Sequence, residues 1–246
     1  MPNVLTEAQV RAYERDGCLS PVRAMSAERA RHYRAKFEAL EARVTDIKKM
    51  KTKSHLLCPW VLEIAEDPYL LDVFEDLIGP NIRCWSMAWR VKKADGETFA
   101  GWHQDSSYGA ALPVVLGGLA LSECGVKQGC LRGIPGSHRW GILEHAEKDD
   151  PKSILARGQY ITDPFDDSKA VDFELEPGEM VLFDNSLIHW IVNVIESAVE
   201  VRRDPGRLAA PARGRGYRSL EVFQAPAVIA PLAAPDTRIA VADLLL

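Results

Sequence analysis

The tetrapeptide Trp102-His103-Gln104-Asp105 constrains the chain more than any other stretch. His-x-Asp sets an imidazole and a carboxylate two residues apart, and on a β-strand that spacing sends both side chains to one face. One more imidazole from a distant strand would complete a set of two histidines and one carboxylate. Such a set covers one face of a non-haem Fe(II) ion and leaves the opposite positions open. His189, in Val181-Leu182-Phe183-Asp184-Asn185-Ser186-Leu187-Ile188-His189, is the candidate for the third place. The tripeptide alone is weak, since a chain of this composition holds an HxD by accident about one time in three. A surface turn in which Asp105 caps a backbone N–H, with His103 incidental, explains it as well.

Composition narrows the classes. The chain has 246 residues, 47% hydrophobic and 26% charged, the profile of a soluble globular protein able to bury a full core. A formal charge of −5 gives no basic surface for nucleic acid. No apolar run approaches the roughly 20 residues of a membrane span, and no signal peptide opens the chain, so no membrane partner is expected. Five cysteines (Cys18, Cys58, Cys84, Cys124, Cys130) at irregular spacing, without CxxC, argue for reduced thiols in a cytoplasmic protein. They argue against a zinc ribbon or a disulfide framework.

The first third is helical in pattern. Thr6-Glu7-Ala8-Gln9 is a capping box that starts a helix ended at Gly17. Ser26 caps a second through Arg29, Tyr33, Phe37, Leu40 and Val44, and Asp67-Pro68 opens a third through Leu71, Phe74 and Leu77 to Gly79-Pro80. Lys48–Lys53 reads most simply as a solvated loop. From Asn81 the period becomes two: Trp85, Met87, Trp89 and Val91 alternate with Cys84, Ser86, Ala88 and Arg90. Strand-like stretches follow at Thr98–His103, Val114–Ser122, Cys130–Ile134, Val171–Leu175, Met180–Phe183 and Ile188–Val194, separated by turn signals such as Pro177-Gly178. Helices first and many short strands afterwards predict an α+β fold: a double-stranded β-helix (cupin-type jelly roll) preceded and flanked by N-terminal helices. The expected organisation is a single domain over 1–246, with N-terminal helices over 1–80, a jelly-roll core over 81–195 and an atypical C-terminal segment over 196–246.

A polar loop is expected from Pro135 to about Lys169, interrupting the strands. His138 and His145 compete with His189 as third ligand. His138 follows a Pro-Gly turn and suits a supporting or capping role, and His145 lies on a charged, helical-looking segment.

These stretches together resemble the phytanoyl-CoA dioxygenase family of Fe(II)/2-oxoglutarate oxygenases. Trp102-His103-Gln104-Asp105-Ser106-Ser107-Tyr108 is similar to its metal-binding signature, and Gln128-Gly129-Cys130-Leu131-Arg132-Gly133-Ile134-Pro135-Gly136-Ser137-His138 to its strand and turn ending in Pro-Gly-Ser-His. Leu175-Glu176-Pro177-Gly178-Glu179-Met180 resembles the lead-in to the distal histidine, and Lys53-Ser54-His55-Leu56-Leu57 and Leu77-Ile78-Gly79-Pro80 fit bacterial members. The resemblance runs from about Thr6 to His189. It implies His103, Asp105 and His189 as catalytic iron ligands, with Fe(II), 2-oxoglutarate and O2 as cofactor and co-substrates. Two histidines and a carboxylate leave three metal positions, enough for a bidentate keto acid plus O2. Related halogenases replace the carboxylate with Gly or Ala to admit halide, so Asp105 implies hydroxylation of a small molecule.

The far carboxylate of 2-oxoglutarate needs a cation, usually Arg. In the family it lies some ten residues after the distal histidine, and here Trp190–Val201 holds no matching Arg. Either an insertion displaces that strand, making Arg215 the anchor with Arg202, Arg203 and Arg213 as rivals, or the last fifth of the chain is not homologous. Lys93, or its neighbour Lys92, matches a family lysine that helps hold the keto acid. Trp102 and Gln104, beside His103 in the signature, join Arg215 and Lys93 as expected co-substrate contacts. Leu116-Gly117-Gly118-Leu119 and Gly109 stand where relatives carry bulky Trp. Two other outcomes fit the residues: a non-catalytic metal-binding jelly roll that has lost 2-oxoglutarate binding, or a cupin-like metalloenzyme using Zn or Mn without O2.

Overall fold

The computed structural model describes residues 2–44, 53–90, 99–108, 114–155, 157–191, 196–203, 228–229 and 239–240, with backbone alone from 191 onward. They fall into two compact units, Met1–Leu208 and Ala209–Leu246. In the second, the described residues form one antiparallel pair, Val228–Ile229 with Ile239–Ala240.

The first unit begins as its caps dictate. In α1 (Glu7–Asp16) the Thr6 hydroxyl accepts from the Gln9 N–H, the Gln9 side chain accepts from the Thr6 N–H, and Gly17 closes the helix at φ 69°. The next strand, β1 (Cys18–Arg23), carries no alternating pattern in sequence. It pairs with β9 (Glu179–Asp184) at the sheet edge, where Pro21 needs no donor on its open side. Ser26 caps α2 (Ala27–Glu41). The short α3 (Pro59–Ala65), which periodicity missed, precedes α4 (Pro68–Ile78), whose cap Asp67 accepts from the Tyr69 and Leu70 N–H groups.

Two antiparallel sheets follow. One has five strands, in the order β1, β9, β4 (Val114–Ala120), β11 (Glu196–Arg203) and β2 (Ile82–Arg90). The other has four: β3 (Ala100–His103), β10 (His189–Ile191), β5 (Leu131–Gly133) and β8 (Val171–Phe173). The five-stranded sheet thus extends past residue 195. Through β2, β3, β4 and β5 the chain alternates between sheets, and it does so again through β8, β9, β10 and β11.

Each face of the larger sheet has its own core. Tyr33, Phe37, Ile64 and Phe74 of the helices pack on Met87, Trp89, Val115, Leu119 and Leu182. On the other face Leu116, Val181 and Phe183 meet Ala100, Leu131 and Phe173 of the smaller sheet. All seven residues of β4 are therefore buried, which explains its unbroken apolar sequence.

The expected polar loop after Pro135 is partly corrected. It contains β6 (His145–Glu147) paired with β7 (Gln159–Ile161), and His145 sits on a strand rather than a helix. Lys48–Thr52 lies outside the described residues, while the Lys53 ammonium stands 5.2 Å from the centre of the Trp85 ring.

Candidate metal centre

β3 ends at His103, and Asp105 opens a tight 3-10 turn (Asp105–Tyr108). The two side chains therefore meet at a strand end rather than along a continuous strand. The turn is fixed by Ser106 N–H donating to the Asn185 carbonyl at 2.7 Å, which ties it to the residues just before β10. In that strand His189 is directly opposite both His103 of β3 and Gly133 of β5. Gly133 leaves needed room there, because a Cβ would come 2.8 Å from Phe173 and 3.1 Å from Leu187.

His103, Asp105 and His189 form a cluster whose ligand atoms all lie within 4.8 Å of one another. His103 Nε2 is 3.6 Å from Asp105 Oδ1 and His189 Nε2 is 3.9 Å from Asp105 Oδ2. These separations are too long for hydrogen bonds. They are slightly wider than the spacing of neighbouring ligands on an ion with bonds of about 2 Å. His103 Nδ1 is 2.8 Å from the Gly101 carbonyl and His189 Nδ1 is 2.9 Å from that of Leu187. A carbonyl only accepts, so each Nδ1 carries the hydrogen and each Nε2 presents its lone pair to the centre. Both imidazoles are 1% exposed. The residues fit a divalent metal ion of the iron type.

The electrostatics agree. Burial pushes the His189 imidazole down to about 4, with His103 adding to the effect and Asp105 only partly opposing it. Burial alone would raise the Asp105 carboxyl, but His103, His189 and Arg90 outweigh it and hold it well below the usual carboxylate range. At neutral pH the site offers a neutral imidazole at His189 and an ionised carboxylate, the forms that bind metal.

The neighbours hold this set in place. Gln104 is fully buried, and its amide donates to the carbonyls of Gly141 and Ser186, both at 2.8 Å, and accepts from Leu143 N–H at 2.9 Å. Its own N–H donates to His145 Nε2 at 3.1 Å, while His145 Nδ1 lies 2.7 Å from the Leu143 carbonyl. His145 is therefore a backbone anchor beside the cluster, neutral because burial lowers its pKa. Ser137 Oγ accepts from the Ile188 N–H at 2.8 Å, which fixes the residue before His189. His138 packs elsewhere, under Gly17, where a Cβ would sit 2.3 Å from its Nδ1. Trp102 lies on the opposite face of β3, its ring 5.8 Å from Phe165 and 5.7 Å from Trp190.

Among the other expected contacts, Lys93, Arg213 and Arg215 lie outside the described residues, and Arg202 and Arg203 end β11. Arg90 ends β2 on the face away from Trp89.

Residues 3–190 match the phytanoyl-CoA dioxygenase (PhyH) family. The chain belongs to this family. A curated relative, the phytanoyl-CoA dioxygenase domain-containing protein 1 homolog of Dictyostelium discoideum, is 30% identical over 92 residues, 36% of this chain and 33% of that protein. The match thus spans about a third of the relative's length. Among solved structures, the non-haem monooxygenase ThoJ in its apo form shares the fold at 24% identity and a TM-score of 0.68, covering 79% of this chain and 77% of its own. EvdO2 of Micromonospora carbonacea var. aurantiaca, complexed with 2-oxoglutarate, does so at 20% identity and a TM-score of 0.65, covering 87% and 97%. The phytanoyl-CoA dioxygenase family comprises Fe(II)/2-oxoglutarate oxygenases, and the His-Asp-His cluster gives this member the matching donor set. No helix among the described residues is long and apolar enough to cross a membrane.

Proposed function

We propose that the protein is an Fe(II)- and 2-oxoglutarate-dependent dioxygenase that hydroxylates an unactivated C–H of a small-molecule metabolite. Its iron ligands in this reading are His103, Asp105 and His189, and its strands close as a double-stranded β-helix around them. One observation carries the reading: two buried imidazoles, each locked through Nδ1 to the backbone carbonyl two residues before it, converge with an ionised carboxylate. When bound, iron with 2-oxoglutarate and O2 supplies the oxidation, one oxygen atom going to the substrate C–H and the other to succinate as CO2 leaves. Asp105 fills the place that a halogenating site leaves to halide, which favours hydroxylation. Gln104 and His145 keep the Asp105 turn registered against β10, and Ser137 does the same for His189. The Phe183 ring, 4.9 Å from that of His189, gives the cluster an apolar wall on one side.

Anaerobic addition of Fe(II) and 2-oxoglutarate to the apoprotein tests this. A weak visible charge-transfer band is expected, lost in His103→Ala and His189→Ala. With O2 and substrate, succinate should then form. A second reading has its own support: the family match stops at residue 190, before the segment that carries the co-substrate arginine in the family. Iron binding without any band would favour that reading, a metal-binding jelly roll that no longer takes 2-oxoglutarate.

A further inference from the structure

We propose that Gly17, the residue that ends α1, is a positioning residue for the metal centre, acting on His189 and Asp105 through His138 and Asp184. The proposal rests on the iron-ligand reading above and gives the N-terminal helix a part in the site. The last carbonyls of a helix have no partner within it. In α1 the groups that satisfy them come from the two segments that brace the metal ligands. The Arg139 guanidinium donates to the Glu14 carbonyl at 2.6 Å, the Gly136 N–H to that of Asp16 at 2.7 Å and the Asp184 N–H to that of Gly17 at 2.8 Å. From there each ligand is one hydrogen bond away. Ser137 Oγ holds the Ile188 N–H beside His189, and the Asn185 carbonyl holds the Ser106 N–H beside Asp105.

Gly17 is itself fixed from both sides, because Tyr13 is buried in the core under the helices and Cys18 in the core between the sheets. Its backbone, at φ 69°, lies against the His138 imidazole. A Cβ there would come 2.3 Å from Nδ1, 2.5 Å from Cγ and 2.9 Å from Cε1 of that ring. Any side chain at position 17 must therefore move the ring, and the ring belongs to the residue after Ser137. The contact is a stop. It sets where the Ser137 turn stands, and so where the Ile188 N–H and His189 are held. His138, which lies away from the cluster, thus serves the site through packing, and only glycine at position 17 lets it sit where it does.

The test reads Fe(II) affinity by calorimetry and the visible bands of the Co(II)-loaded protein, whose shape follows ligand geometry. Gly17→Ala should weaken Fe(II) about 10-fold or more, as loss of a supporting contact does, and shift the Co(II) bands. Leu182→Ala, destabilised in the large sheet alone, should keep wild-type affinity and bands. His138→Ala removes all three atoms that the new methyl would strike. Alone it should shift the bands with a smaller fall in affinity, and Gly17→Ala/His138→Ala should then behave as His138→Ala does, because the stop is already gone. Wild-type affinity and bands in Gly17→Ala would overturn the proposal, as would losses that simply multiply in the double variant. Should Gly17→Ala fail to fold, wild-type bands in His138→Ala would overturn it equally. A wild-type protein that binds neither metal would instead sink the iron-ligand reading and the proposal with it, so the two failures differ.

Discussion

The five-stranded sheet has long strands, nine residues in β2, seven in β4 and six in β9, and both its faces are covered by apolar side chains. The four-stranded sheet has strands of three or four residues, and its inner row carries two imidazoles. The contrast shows how the molecule separates stability from chemistry. Apolar burial is non-directional and grows with area, so long dry strands suit the layer that holds the fold. Metal ligands must instead be aimed, and short strands with polar turns aim them through backbone hydrogen bonds. A buried imidazole without such bonds would be costly.

Substitutions on the two sheets should separate these roles. The largest effect on function is expected from His189→Ala: loss of more than about 100-fold in Fe(II) affinity, beyond what removal of a supporting partner costs, with little change in the apoprotein's unfolding midpoint. Calorimetry of metal binding beside thermal melts would show it, and an apoprotein that unravels instead would erase the division. On the other layer, Leu182→Ala removes a side chain with no exposed surface from β9 and should cost about 2–5 kcal/mol in denaturant unfolding. The fraction still folded should bind Fe(II) normally.

A smaller change sharpens the contrast at the join. Ser137→Ala strips the Ile188 N–H of its partner and should cost about 1–3 kcal/mol. Because the loss lies beside His189, Fe(II) affinity should fall too, by about tenfold or more. An unchanged affinity would mean that β10 is positioned by its neighbouring strands alone.

The smallest effect concerns the edge of the large sheet. Burial, helped by Asp16, pushes the Cys18 thiol up to about 12 from an ordinary value near 9. The unfolded chain ionises this thiol first, so its contribution to stability is full below pH 9 and declines as pH rises from 9 to 12. At pH 8 the native thiolate should be about a thousandfold scarcer than in an exposed cysteine. Peptide mapping after brief alkylation should find Cys18 unlabelled, and fast labelling would show that β1 does not seal against β9.

Much of this was legible in the chain itself. Thr6, Gly17, Ser26 and Asp67 bound their helices where the local chemistry places them, because caps are satisfied within one turn of sequence. The strand from Ile82 to Arg90 was legible for the same local reason, but its alternation breaks at Trp85: the register against β11 shifts there, so Cys84 packs on the same core as Met87 and Trp89 while Trp85 is exposed. What escaped depends on contacts far along the chain. β1 has no pattern of its own and exists because β9 offers it an edge. His145 sits in a charged stretch that looks helical, and its pairing with Ile161 of β7 makes it a strand.

The sequence by itself determined three of the four α-helices, the strands from β2 to β5 and from β8 to β10, the His-x-Asp motif and its likeness to one family, since each is written in neighbouring residues. Only the tertiary structure decided that His189, and neither His138 nor His145, stands opposite His103. It alone assigned Gln104 to bracing the backbone. Those facts rest on strand register and sheet order, which bring residues many positions apart into contact and which no local pattern specifies.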